Sequence, residues 1–222
     1  MNVLVFCPFV SFDSYAPALR TIYSQYWQGR LDYLFMRGGE DPNKSKVENV
    51  SIKYRMGQDV FLRGDYDAML TVEQDMVLPP NALWRLSRVQ ADIVYGLYCF
   101  RNGTPIWNVF AELDEGHGQS VFQVNPRIAK RGWGQVIDCV GLGLGCTLIR
   151  RHVLETIEFR YSDPFCCDWM LALDAQRAGF SQKADLGTVC GHINPPDILW
   201  PARDTRKGYI VEQLGNATEY AY

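Results

Sequence analysis

Two carboxylates one residue apart, Glu73 and Asp75 in the stretch TVEQDMVLPP, stand directly after the apolar run DAMLTV (67–72). Acids held this close repel unless a cation lies beside them. Divalent Mg²⁺ and Mn²⁺ take oxygen ligands, and Mg²⁺ is commonly held by one or two carboxylates together with substrate phosphates. In an extended segment residues i and i+2 point the same way, so both acids can face one ligand. The chemistry this pair offers is a divalent cation carrying a diphosphate. For the short stretch alone, a solvated acidic turn ahead of a proline-started helix is the competing reading.

The elements around the pair decide where it points. NVLVF (2–6) reads as a strand, 14–27 has helical apolar spacing, and LDYLFM (31–36) is again strand-like. Asp41-Pro42 has the form of a helix N-cap with proline at the first helical position, ahead of a helix carrying Val47, Val50, Tyr54 and Phe61 on one side. DAMLTV is the next strand, Pro80 starts a helix holding Leu83, Trp84 and Leu86, and DIVYGLY (92–98) closes the series. Such alternation predicts βαβ units and a mostly parallel sheet. In open α/β sheets ligands bind outside the carboxyl ends of the strands, which is where the acid pair falls.

The second half reads as strands at 104–113, 120–124 and 135–140, then a glycine-rich turn, strand and short helix over 141–157. Asp163-Pro164 has the form of a second helix start, with Gly179 as the stop. Short strands are expected around 181–184 and 187–192, and residues 194–222 as an extended tail or lid. The predicted organisation is one domain over 1–222 with two functional halves, 1–100 and 101–193.

Four blocks, in order, resemble those of GT-A-fold glycosyltransferases, especially family-2-like enzymes of the nucleotide-diphospho-sugar transferase superfamily. They are DYDAMLTVEQDMVLPPNALWRLSRVQADIVYGLYCFRNG (65–103), VGLGLGCTLIRRHVLETI (140–157), CCDWMLALDAQRAGF (166–180) and GTVCGHI (187–193). The resemblance covers most of 1–193. It implies a GT-A-like three-layer α/β/α fold with a central, mostly parallel, mixed sheet. It also implies a metal-dependent transfer of sugar from a UDP- or GDP-linked donor to an acceptor hydroxyl. Asp75 and Glu73 would hold Mn²⁺ or Mg²⁺, with His192 completing the metal or diphosphate site. Asp168, in the first turns of a helix whose dipole favours the ionised form, would take the acceptor proton, and direct displacement would invert the anomeric centre. Phe9, Asp13, Lys53, Arg55 and Gln74 would meet the nucleotide, and Gly143, Gly145 and Trp169 would lie on the acceptor side. Two positions depart from the family pattern: Glu-x-Asp replaces Asp-x-Asp, and Cys167-Asp168 replaces Glu-Asp.

Composition narrows the alternatives. The net charge is −3 and the chain has no basic block, which disfavours a strongly electrostatic nucleic-acid binder. No apolar run reaches membrane-spanning length. Seven scattered cysteines with no export signal predict reduced thiols and a cytoplasmic protein. Cys166, Cys167, Cys190 and His192 do not have standard zinc spacing. In GLGLGC, Cys146 stands where a dinucleotide fingerprint needs its third glycine. A sugar-phosphate nucleotidyltransferase and a non-catalytic nucleotide-sugar-binding module are the alternative readings. The acceptor class, whether protein, saccharide, lipid-linked precursor or modified base, is left open.

Overall fold

In the computed structural model, which describes residues 1–11, 15–38, 40–101, 105–113, 118–120, 126–141 and 143–214, the expected alternation is present. The first half runs β1 (Val3–Phe9), α1 (Ala16–Tyr23), β2 (Leu31–Arg37), α2 (Lys46–Arg63), β3 (Ala68–Val72), β4 (Met76–Val77), α3 (Ala82–Arg88) and β5 (Ile93–Leu97). Next come β6 (Val109–Leu113), β7 (Gly118–Ser120), α4 (Pro126–Arg131), β8 (Val136–Asp138), β9 (Val140–Gly141) and β10 (Cys146–Arg150). The chain continues with α5 (Arg151–Thr156), α6 (Cys167–Arg177), β11 (Gln182–Val189), β12 (Gly191–Asn194), β13 (Asp197–Pro201) and β14 (Tyr209–Gln213).

A seven-stranded sheet has the order β2-β1-β3-β10-β5-β11-β8. Five strands share one direction, and β10 and β8 run against them. Both faces are covered. Leu4 and Phe6 of β1 pack with Tyr54 and Phe61 of α2 and with Val153 and Leu171 of α5 and α6. Val3 and Val5 pack on the other face with Ile22 of α1 and Leu83 and Leu86 of α3. Burial on both faces explains why these strands are near-continuous apolar runs. The result is the three-layer α/β/α, GT-A-like architecture with a mixed, mostly parallel sheet.

Gly57 lets α2 lie close to β1, since an added Cβ would stand 2.5 Å from the Phe6 ring. Gly57→Ala is expected to lower stability by about 1–3 kcal/mol, the usual range for overpacking. A lower urea midpoint at unchanged m value would be the readout.

Several local expectations are corrected. Helix α2 starts at Lys46 rather than after Asp41, because Ser45 and Glu48 form a reciprocal capping box. Asp41 instead closes a turn by accepting from the Asn43 amide at 2.9 Å. Val47 and Val50 are exposed, and the buried face of α2 runs through Tyr54, Gly57 and Phe61. Trp84 is exposed, and α3 begins after Asn81. Asp163-Pro164 is the centre of a turn closed between Ser162 and Phe165, so α6 begins at Cys167. It ends ahead of Gly179, which has φ +79°, as expected. The expected strand at 104–113 starts only at Val109, and 121–124 lies outside the described residues. The segment after Asn194 carries β13 and β14, which extend β12 into an antiparallel sheet of order β14-β13-β12-β4.

All seven cysteines are free. Among the described residues, no helix is long and apolar enough to cross a membrane.

Candidate functional site

Strand β3 delivers the acids. Its five residues are fully buried and it ends at Val72, at the carboxyl edge of the sheet. The chain then turns: the Met76 amide donates to the Glu73 carbonyl at 3.1 Å. A turn, rather than the expected extended segment, therefore brings the two carboxylates together. The two residues of β4 follow and pair with β12, placing His192 opposite Met76. The Ile193 amide donates to the Asp75 carbonyl at 2.8 Å and pins this crossing. Ligand atoms of Glu73, Asp75 and His192 consequently lie within 4.8 Å of one another. It is the one such group of metal-capable side chains among the described residues, and the cysteines do not join it.

Hydrogen bonding fixes the state of the histidine. His192 Nδ1 lies 2.7 Å from the Cys99 carbonyl, and since a carbonyl only accepts, Nδ1 carries the proton. Nε2 then faces Asp75 Oδ2 at 3.5 Å. Among the described residues, neither His192 Nε2 nor Asp75 Oδ1 has a hydrogen-bond partner, although both atoms are buried. Buried polar atoms without partners are uncommon in folded proteins and ask for a ligand or ion. An imidazole bonded through Nδ1–H to a carbonyl, with its other nitrogen aimed at two carboxylates, has the posture of a metal ligand. The oxygen, oxygen and nitrogen donor set therefore fits a divalent cation.

The charges support one another unevenly. Burial, and secondly the Asp75 charge, push the Glu73 carboxyl up to about 7. Burial also works against the Asp75 charge, but His192 and Arg101 outweigh it and hold that carboxyl below its ordinary value. For His192, burial opposes protonation, yet the neighbouring Asp75 and Glu73 carboxylates raise its pKa overall. Because Glu73 keeps its proton longer when folded, the native state binds more protons than the unfolded chain between the ordinary carboxyl range and about 7. Stability accordingly falls as pH rises through that window. Glu73→Gln is expected to remove this loss. The metal-free variant should melt several degrees above the wild type near pH 8 and level with it near pH 4, measured by calorimetry.

Several of the other expected residues converge on the same edge. A cavity of about 210 Å³ beside the acids is lined by Phe9, Val10, Lys53, Gln74 and Arg101, among others. Lys53 is buried and paired with Glu40 at 3.1 Å, and Gln74 Oε1 accepts from the Val10 amide at 2.6 Å. Arg55 does not join them. Two residues on from Lys53, it faces another side of α2 and pairs with Glu158 at 2.5 Å. Asp13 lies outside the described residues.

Asp168 is half-buried in the first turn of α6, and its charge adds to the upward push on Glu73. Its Oδ1 accepts from the Trp169 amide at 2.8 Å and from the Cys166 thiol. Trp169 stacks on Phe165, with ring centroids 5.3 Å apart. Gly143, at φ +86°, has no room for a Cβ, which would stand 1.8 Å from the Tyr98 hydroxyl. Gly145 donates its amide to that hydroxyl at 3.3 Å and offers its carbonyl to the Glu73 amide at 3.3 Å. The glycine-rich turn thus supports the acid-bearing turn from beneath.

Arg101 was assigned no role by the sequence reading. Its Nη1 lies 2.7 Å from Asp75 Oδ2. The available signal was a single arginine on the segment that leaves β5 at the same sheet edge as the acids. A wider cavity, about 830 Å³, opens at the opposite edge around Asp92, Arg150, His152 and Ser181. These four polar groups are engaged with one another and with backbone: His152 Nε2 lies 2.8 Å from Asp92, the Ser181 hydroxyl donates to Asp92 at 2.6 Å, and Arg150 donates to the Ser87 carbonyl at 3.0 Å.

No protein-family model matches the chain, and no curated protein matches it in sequence. Solved structures do resemble it. The A197 protein from STIV superposes with a TM-score of 0.62 at 18% identity, covering 96% of this chain and 95% of that one. Residues 1–349 of S. aureus TarS superpose with a TM-score of 0.50 at 11% identity, covering 83% of this chain and 58% of that one. At these identities the likeness shows the fold alone.

Proposed function

We propose that this protein is a glycosyltransferase that moves a sugar from a UDP- or GDP-linked donor to an acceptor hydroxyl, with Mn²⁺ or Mg²⁺ held by Glu73, Asp75 and His192. One observation carries the reading. Two buried atoms without hydrogen-bond partners, Asp75 Oδ1 and His192 Nε2, belong to the one group of metal-capable side chains among the described residues whose ligand atoms lie within 4.8 Å of one another, at the carboxyl edge of a GT-A-like sheet. The imidazole ligand favours Mn²⁺ over Mg²⁺, which prefers an all-oxygen shell. When bound, the cation supplies positive charge beside the departing diphosphate.

The chain's own residues do the rest. Phe9 offers a ring edge or face to the base, and Lys53 and Gln74 offer polar contacts in the cavity they share with the acids. Asp168 takes the acceptor hydroxyl proton. Its Oδ1 is occupied by the Trp169 amide and the Cys166 thiol, so Oδ2 is the oxygen that receives it. As the O–H bond breaks, the acceptor oxygen bonds to the anomeric carbon, and the bond from that carbon to the diphosphate oxygen breaks with inversion. Gly143 and Gly145 let the glycine-rich turn pack closely on Tyr98 and Met76 beneath the acids, where a side chain would collide.

A thermal-shift panel of UDP, GDP and their sugars, with and without Mn²⁺, tests the reading through ligand linkage. One nucleotide should stabilise the protein only with metal, and its sugar should be turned over. Stabilisation without turnover across acceptors would leave the non-catalytic module, and no stabilisation by any nucleotide would contradict the proposal.

A further inference from the structure

Arg101 sits where a positive charge is needed. It leaves the end of β5, crosses the carboxyl edge of the sheet and places Nη1 2.7 Å from Asp75 Oδ2. The same nitrogen donates to the Ile193 carbonyl at 3.2 Å, and the side chain also bonds the Tyr15 hydroxyl. Two of these partners are neutral, so Asp75 supplies the one ionic contact among them. The guanidinium is half-buried and lines the cavity assigned above to the donor's nucleotide and diphosphate.

That position conflicts with a loaded metal site. Asp75 Oδ2 is shared by Arg101 at 2.7 Å and His192 at 3.5 Å. A divalent cation bonded to Asp75 and His192 would stand close to the guanidinium, and like charges at that separation repel strongly in a half-buried site. Without metal, and with both acids ionised and His192 neutral, the two carboxylates and one guanidinium leave a single net negative charge. With metal and Arg101 together the balance is one positive charge, which a diphosphate satisfies. Arginine's planar fork matches phosphate oxygens in pairs.

We propose that Arg101 is a resident counter-cation of the site: it neutralises Asp75 in the empty protein, leaves Asp75 when a divalent cation is taken up, and turns its fork onto the donor's diphosphate. Metal and donor then bind cooperatively, because the group that resists metal uptake is the group the donor recruits, and each ligand must tighten the other by the same factor. This inference rests on the metal and diphosphate reading given above.

Calorimetric titration of Mn²⁺ into wild type, Arg101→Gln and Arg101→Lys, with and without UDP or GDP, separates the two ideas. Arg101→Gln should bind Mn²⁺ alone about tenfold more tightly than wild type, a change of one decade in the dissociation constant. The tightening that nucleotide adds should shrink in the same variant. Arg101→Lys keeps a point charge without the fork, so its Mn²⁺ affinity should stay near wild type while the nucleotide's contribution falls. This conservative variant carries the test if the glutamine variant does not fold. Equal or weaker Mn²⁺ binding by Arg101→Gln, or an unchanged nucleotide contribution in both variants, overturns the exchange while leaving the metal site standing. Absence of Mn²⁺ binding by the wild type overturns both.

Discussion

Replacing Asp75 with asparagine is expected to abolish measurable Mn²⁺ binding and to lower donor turnover by about 10³-fold, the scale of losing a preorganised electrostatic group. The substitution keeps shape and removes charge. In the native site, Asp75 is the acid that His192 and Arg101 both face, at 3.5 and 2.7 Å, and it remains ionised where Glu73 does not readily do so. An amide there leaves His192 Nε2 with Glu73 as the one remaining acid of the group, too little to hold a hydrated divalent ion. Metal titration and turnover on the same preparation check this. Glu73→Gln serves as the contrast, with a smaller fall in turnover because Asp75 and His192 persist. Asp75→Asn with wild-type Mn²⁺ affinity would remove Asp75 from the site.

The second large effect is expected at Asp168. Asp168→Asn should lower transfer by about 10²–10⁴-fold, the usual contribution of a positioned general base, with nucleotide and Mn²⁺ binding unchanged. The asparagine carbonyl can still accept from the Trp169 amide, so the turn at the start of α6 should survive and the thermal midpoint should hardly move. The two variants therefore separate by mechanism: Asp75→Asn loses metal and turnover together, whereas Asp168→Asn loses turnover alone. A drop in nucleotide affinity at Asp168→Asn would make that residue part of the donor site instead.

Much of this was legible in the residue pattern because it is local. The strands 2–6, 31–36, 67–72 and 92–98 are near-continuous apolar runs, and a strand covered on both faces has to read that way. Glu73 and Asp75 could be singled out because two acids abutting an apolar strand are chemically conspicuous, and His192 because its GTVCGHI block resembles the closing Gly-His strand of GT-A-fold enzymes. The start of α2 was also legible and passed over: Ser45-Lys46-Val47-Glu48 is a capping-box pattern, and it outcompetes Asp41-Pro42 for the helix start.

What was not legible depends on distant partners. β3 and β5 are joined through β10, which arrives some seventy residues after β3 and runs against both. β13 and β14 exist because β12 offers an edge, and the prolines of 194–201 hide that alternation. The contact between Arg101 and Asp75 follows from where the β5 exit passes over the acid-bearing turn, and no spacing rule encodes it. Arg55 was misplaced for a simpler reason: two residues along a helix is more than half a turn, so it and Lys53 cannot share one cavity.

The most direct test of the metal-centred account is crystallographic. Crystals grown with Mn²⁺ and UDP or GDP should give an anomalous peak at the manganese edge bonded to Asp75 and His192 Nε2, beside the nucleotide's diphosphate. A bound nucleotide with no peak there, and with His192 Nε2 still facing only Asp75, would contradict it.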